Sequence, residues 1–110
     1  MTPSTAIAML DRQLTAHGRS VTLVRSGGSP ANLTCRAIVR DFKPDEFIGT
    51  IQQGDRLAIL SPTPLSPAGW LEPKEGDRLL ADGKWHRVQA PDRIALADVV
   101  VRVELHLRGM

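Results

Sequence analysis

Val99, Val101, Val103, Leu105 and Leu107 alternate with Val100, Arg102, Glu104, His106 and Arg108 in one uninterrupted run. A period of two puts successive side chains on opposite faces of an extended chain, so this run is a strand with one apolar and one wet face. Burying its five aliphatic side chains stabilises by up to ~1.5–3 kcal/mol each, and no other segment promises as much. Just upstream, Asp82-Gly83 separates two short runs. An Asp-Gly pair supplies the two positive-φ positions of a type I′ turn, whose twist matches that of the strands it joins. The last third of the chain therefore reads as a tight hairpin followed by a long strand.

The rest divides into one helix and several short strands. Over Pro3–His17, Ile7, Leu10 and Leu14 recur at helical spacing among alanines, with Ser4 as a candidate cap and Gly18 as the stop. Strands are predicted over Ser20–Arg25, Leu33–Arg40, Ile48–Gln52 and Arg56–Leu60, separated by Gly- and Pro-rich breaks. Four prolines, at 62, 64, 67 and 73, fall between Ser61 and Glu75 and predict a stiff, extended excursion in which Trp70 either anchors the segment or meets a partner. Gly-Asp-Arg occurs twice, at 54–56 and 76–78, each time opening a strand. Two uses of one turn chemistry explain the repeat. At 110 residues the expected architecture is a single all-β domain, a small antiparallel β-barrel with an N-terminal α-helix and long loops. Its parts are a helix over 4–17 and a barrel over 20–108, with loops at 26–32, 41–55 and 61–75.

The inventory for chemistry is thin. Three histidines, one cysteine and no tyrosine leave little for a nucleophile, a base or a metal cage. Cys35 alternates with Leu33, Ala37 and Val39 and reads as a buried thiol, and no internal disulfide is possible. His86 and His106 are in phase with charged residues on strands expected to be neighbours, which places both on the solvent face. Asp45-Glu46 lies in a loop, and Gly27-Gly28 lacks the Lys and Ser/Thr of a phosphate loop. Arg36, Arg40, Arg102 and Arg108 form a basic stripe whose default reading is a wet sheet face, and the formal charge is only +2. Neither a catalytic constellation nor a cofactor or metal motif stands out. No apolar run is long enough to cross a bilayer, and the N-terminus lacks a secretion signal, which predicts a protein made and kept in a cytoplasm or assembled into a particle there.

Taken in order, several segments carry a family resemblance. They are a helix running into His17-Gly18-Arg19-Ser20-Val21-Thr22-Leu23, then Val39-Arg40-Asp41-Phe42, then Ile48-Gly49-Thr50-Ile51-Gln52-Gln53-Gly54-Asp55-Arg56. Gly76-Asp77-Arg78, Asp82-Gly83-Lys84-Trp85 and Val103-Glu104-Leu105-His106-Leu107-Arg108 close the series. In this order they resemble the head-closure proteins of tailed phages, the small head–tail connectors also called stoppers or head completion proteins. The resemblance implies a non-enzymatic virion protein of the neck, in an infectious phage or a gene transfer agent. Such proteins form a ring, commonly of six copies, below the portal and adaptor rings, close the DNA-filled head and dock the tail. It implies as partners the chain itself, the adaptor or portal-side ring, tail proteins and packaged DNA, with no membrane, and a place in the host cytoplasm during assembly. It also implies a loop projecting into the channel as a plug, for which Asp41, Phe42, Lys43, Asp45, Glu46 and Phe47 are the candidates. Candidate contacts with ring neighbours are Ile48, Leu65, Trp70 and Leu71. The alternative is a stand-alone β-barrel module that binds nucleic acid or a peptide.

Overall fold

The computed structural model describes residues 2–27, 32–42, 51 and 54–109. Its elements are α1 (Pro3–His17), β1 (Arg19–Val24), β2 (Leu33–Asp41), β3 (Arg56–Leu60), α2 (Pro62–Leu65), β4 (Arg78–Ala81), β5 (Lys84–Leu96) and β6 (Val99–Gly109). The six strands close into an antiparallel barrel in the order β1-β2-β3-β6-β5-β4, with β4 returning to β1. The alternation predicted from sequence fills it. Val21 and Leu23, Cys35, Ala37 and Val39, Ala58 and Leu60, Leu79 and Ala81, Val88, and Val103, Leu105 and Leu107 all point inward and are buried together. Closure satisfies the backbone groups that an open sheet would leave at its edges.

The strand of β6 runs further than the barrel needs. β3 pairs with it only from Leu60↔Val103 to Arg56↔Leu107, so Val99, expected in the core, lies outside and is 45% exposed. Its partner β5 also overshoots. Past Arg93↔Val103, where the pairing of β3 with β6 ends, the two strands continue as a ribbon that turns at Ala97-Asp98, where φ is 50° and 64°. That is the same left-handed pair of conformations that Asp82 and Gly83 adopt in the β4–β5 turn, at φ 53° and 74°. Register shifts between Val88 and Ala90 and between Ile94 and Ala95 sharpen the ribbon's twist. Every residue from Ala90 to Val99 is exposed, including Ile94 and Leu96.

The helix α1 begins one residue before the expected start. Thr2, not Ser4, caps it, accepting from the Thr5 amide at 3.2 Å, and Pro3 occupies the first turn, where a missing N–H costs nothing. Arg36 of β2 holds the other end, donating from Nε to the Leu14 carbonyl at 2.9 Å and from Nη2 to the Gly18 carbonyl at 2.5 Å. Gly18 is needed for space, because a Cβ there would stand 2.5 Å from the Leu14 oxygen and 3.1 Å from that of Ala37. Leu10 and Leu14 pack on Leu57 and Ile59, with Ile38 and Phe42 beside them, in a second apolar cluster outside the barrel wall.

The proline-rich segment after β3 is folded, not extended. Ser61 caps α2 through the Thr63 amide, the Ser66 amide reaches the Pro62 carbonyl at 2.8 Å, and that of Trp70 reaches Leu65 at 2.8 Å. Pro62 and Pro64 sit in the first turn of α2, where proline is tolerated, so the prolines that forbid a long helix permit this short one. Leu65 and Trp70 then insert fully into the barrel core.

Candidate functional site

The two Gly-Asp-Arg copies build the same device. Gly54 and Gly76 take φ of 94° and 92°, a conformation that favours glycine, and each is followed by a buried aspartate at the mouth of a strand. Asp77 has no exposed surface. Its Oδ2 accepts from Arg25 Nη1 at 2.6 Å and from the Lys74 amide at 2.8 Å, while Oδ1 accepts from the Ser26 amide at 3.2 Å. The Arg25 guanidinium lies 4.2 Å from the Trp70 ring centroid and donates to the Glu72 carbonyl at 3.2 Å, so one ion pair ties β1, β4 and the proline-rich segment together. Asp55 is 3% exposed and takes a two-pronged contact from Arg108, Nε to Oδ1 at 3.0 Å and Nη2 to Oδ2 at 2.9 Å. His106 Nε2 lies 2.6 Å from Asp55 Oδ2, and Phe42 meets the imidazole edge-on at 5.4 Å between centroids. Two carboxylates that a turn reading leaves in solvent are thus buried cross-links. The signal was available: each repeats one tripeptide, and each needs an arginine from a distant strand.

The histidines do not come together. His106 sits opposite Ala90 and His86 opposite Gly109 along the β5–β6 ladder, which separates them by several residues of register. His86 shares the inward phase of Val88, lies opposite Leu79 and is 6% exposed, against the expectation of a solvent-facing ring. Its Nδ1 has no hydrogen-bond partner, and burial, followed by the charge of Arg56, pushes its pKa below the usual histidine value. Cys35 is buried in the barrel, and burial raises its pKa to about 11, so it remains a neutral thiol at physiological pH. Among the described residues no group of three or more His, Cys, Asp or Glu side chains is placed to hold a metal ion.

The basic stripe is divided. Arg36 is committed to the end of α1 and Arg108 to Asp55. Arg102 Nε stands 2.8 Å from Glu104 Oε2, close as an ion pair but misaligned for a hydrogen bond. A different basic group emerges on the outer face of β4 and β5, where Arg78 lies directly opposite Arg87 and Arg87 opposite Arg108. Beside them Trp85 is 41% exposed, with the Arg78 guanidinium 5.5 Å from its ring.

Of the residues singled out for a plug, Asp41 ends β2 with an exposed carboxylate 3.3 Å from Arg56 Nε, and Phe42 packs beneath α1. Lys43, Asp45, Glu46, Phe47 and the contact candidate Ile48 lie outside the described residues. Leu65 and Trp70 have no exposed surface, so neither is available to a neighbour while the segment stays docked. They add their volume to a core cluster that the strands build from aliphatic side chains and one cysteine. Leu71 is half-buried and lines an open cleft of about 310 Å³ with Ile7, Pro62, Val99 and Val100. No protein-family model matches the chain, and no curated protein matches it. The fold defines its class: a closed six-stranded barrel with one helix applied to its outer wall and a two-stranded arm.

Proposed function

We propose that this chain is a structural, non-enzymatic head–tail connector of a tailed phage or phage-like particle, present in the neck as a ring that closes the DNA-filled head and receives the tail. The observation that carries the reading is the arm. Ten consecutive residues, Ala90 to Val99, are exposed along the edge of the barrel and past the end of β3, with Ile94, Leu96 and Val99 partly in water, while Met9 of α1 adds a fourth large apolar side chain near Ile94 at a second cleft. An exposed apolar strip of this kind marks a surface for a partner, and a ring subunit needs a reaching element and a different receiving surface, because its interface is heterologous and closes by rotation. The order of sequence motifs supports the family, and the buried polar clusters support a structural role, since Asp55 and Asp77 are both saturated by partners of the fold itself. In this reading the segment from Asp41 to Gln53, net negative in sequence, faces the channel, where weak attraction to phosphates lets DNA pass. The partners are further copies of the chain, the portal-side ring, tail proteins and packaged DNA, and assembly takes place in the host cytoplasm.

The test is deletion of the gene in a producing host, followed by electron microscopy and nuclease protection of the particles. Filled heads that leak DNA or lack tails are expected. Tailed particles that retain their DNA would refute the proposal. Ile94→Asp with Leu96→Asp gives the sharper version, because both positions are exposed and the barrel should fold unchanged while assembly fails.

A further inference from the structure

The outer face of the β4–β5 hairpin has a charge arrangement that its own fold does not use. Arg78 and Arg87 are cross-strand partners, which brings their Cβ atoms to roughly 5 Å and sets like charges side by side. Both are exposed, and neither has a carboxylate partner among the described residues. The third arginine of the row, Arg108, shows how the fold treats a cation it needs, with two hydrogen bonds from the guanidinium to buried Asp55. Exposed Lys84 adds a further positive charge at the turn, where Asp82 is already paired with Arg19. On the same face, two residues from Arg87, Trp85 keeps 41% of its surface in water, its ring flanked by the Arg78 guanidinium.

An exposed indole between unneutralised cations matches one ligand chemistry closely. A phosphodiester strand supplies successive anions for the two guanidinium groups, and an unpaired base supplies a flat π-face for the indole. A duplex buries those faces in its own stack. We propose that Arg78, Trp85 and Arg87, with Lys84 at the edge, form a binding surface for a single-stranded nucleic acid, Trp85 stacking on a base and the arginines contacting the flanking phosphates. This inference stands apart from the connector reading, because it concerns the isolated chain and a face outside the arm.

Fluorescence titration of the full chain with an oligothymidine strand at low salt tests it. The protein has two tryptophans, and Trp70 is sealed in the core, so quenching reports Trp85. Saturable quenching is expected, with Trp85→Leu weakening binding roughly 5- to 100-fold by anisotropy of a labelled strand. Arg78→Gln and Arg87→Gln should each lower the slope of log affinity against log salt by about 0.7. Arg93→Gln, which alters an exposed ion pair elsewhere, should bind as the parent does. The proposal is overturned if no binding occurs at tens of micromolar strand, or if the three site variants bind like the parent. Equal binding of heparin, or of a duplex that leaves the indole unquenched, overturns it as well, since either would show attraction of charge alone.

Discussion

Replacing Trp70 with alanine asks whether the proline-rich segment is part of the core or a loop resting on it. Trp70 has no exposed surface, packs among Leu23, Leu60, Leu65 and Leu79 in the barrel cluster, and lies 4.2 Å from the Arg25 guanidinium. Removing a buried aromatic side chain costs about 3–5 kcal/mol through lost transfer energy and the cavity left behind. Loss of the cation–π contact adds ~0.5–2 kcal/mol, because Arg25 is itself almost fully buried. A domain of this size has a total stability of about 5–15 kcal/mol, so Trp70→Ala removes a large fraction of it. With a urea dependence of roughly 1–3 kcal/mol per molar, the unfolding midpoint should fall by ~1 M or more in far-UV circular dichroism. Trp85→Ala is the matched control: at an exposed position it should shift stability by no more than ~0.5 kcal/mol. A Trp70→Ala midpoint within ~0.5 M of the parent would refute the reasoning. It would mean that the segment leaves the barrel at little cost and that Leu65 and Trp70 can be offered to a neighbour after all.

Three further outcomes follow from buried groups. His86 has a folded-state pKa below its unfolded value, so the unfolded chain binds the proton first and stability is lost as pH falls below ~6.5, by up to ~1.4 kcal/mol per unit; urea midpoints at pH 5 and 7.5 should differ less in His86→Leu than in the parent. Asp77→Asn strands the Arg25 guanidinium and should cost ~3–5 kcal/mol, whereas Asp82→Asn at the exposed pair with Arg19 should cost at most ~1 kcal/mol, both by urea denaturation. Gly18→Ala forces a Cβ against the Leu14 oxygen and should destabilise by ~1–3 kcal/mol, with hydrogen exchange accelerated in α1 before the barrel amides.

The barrel was legible because its strands obey period two and its β4–β5 turn carries Asp82-Gly83. The β5–β6 turn was not, because Ala97 and Asp98 adopt left-handed conformations without a glycine to announce them. The arm was therefore hidden, and with it the reason that Val99 lies outside. Docking of Leu65 and Trp70 was masked by four prolines, whose local preference for extension yields here to the core's demand for volume. Phase misled at His86, since the charged residues beside it suggested a wet face, yet Trp85 and Arg87 take the outside and His86 follows Val88 inward. The same phase, read correctly, sets Trp85 and Arg87 on one exposed face, but the cross-strand opposition of Arg78 and Arg87 needs the register and is invisible in one dimension.

Closure of the barrel joins the first strand to the fourth, and the Arg25–Asp77 pair sits where that join ends, between residues 52 apart in the chain. A nascent polypeptide leaving the ribosome can zip β1 onto β2 early, because those partners are near one another in sequence, but the β1–β4 seam must wait until most of the chain has been synthesised. Until then Val21 and Leu23 have only half their sheet, and the interval is when the chain is most exposed to off-pathway association.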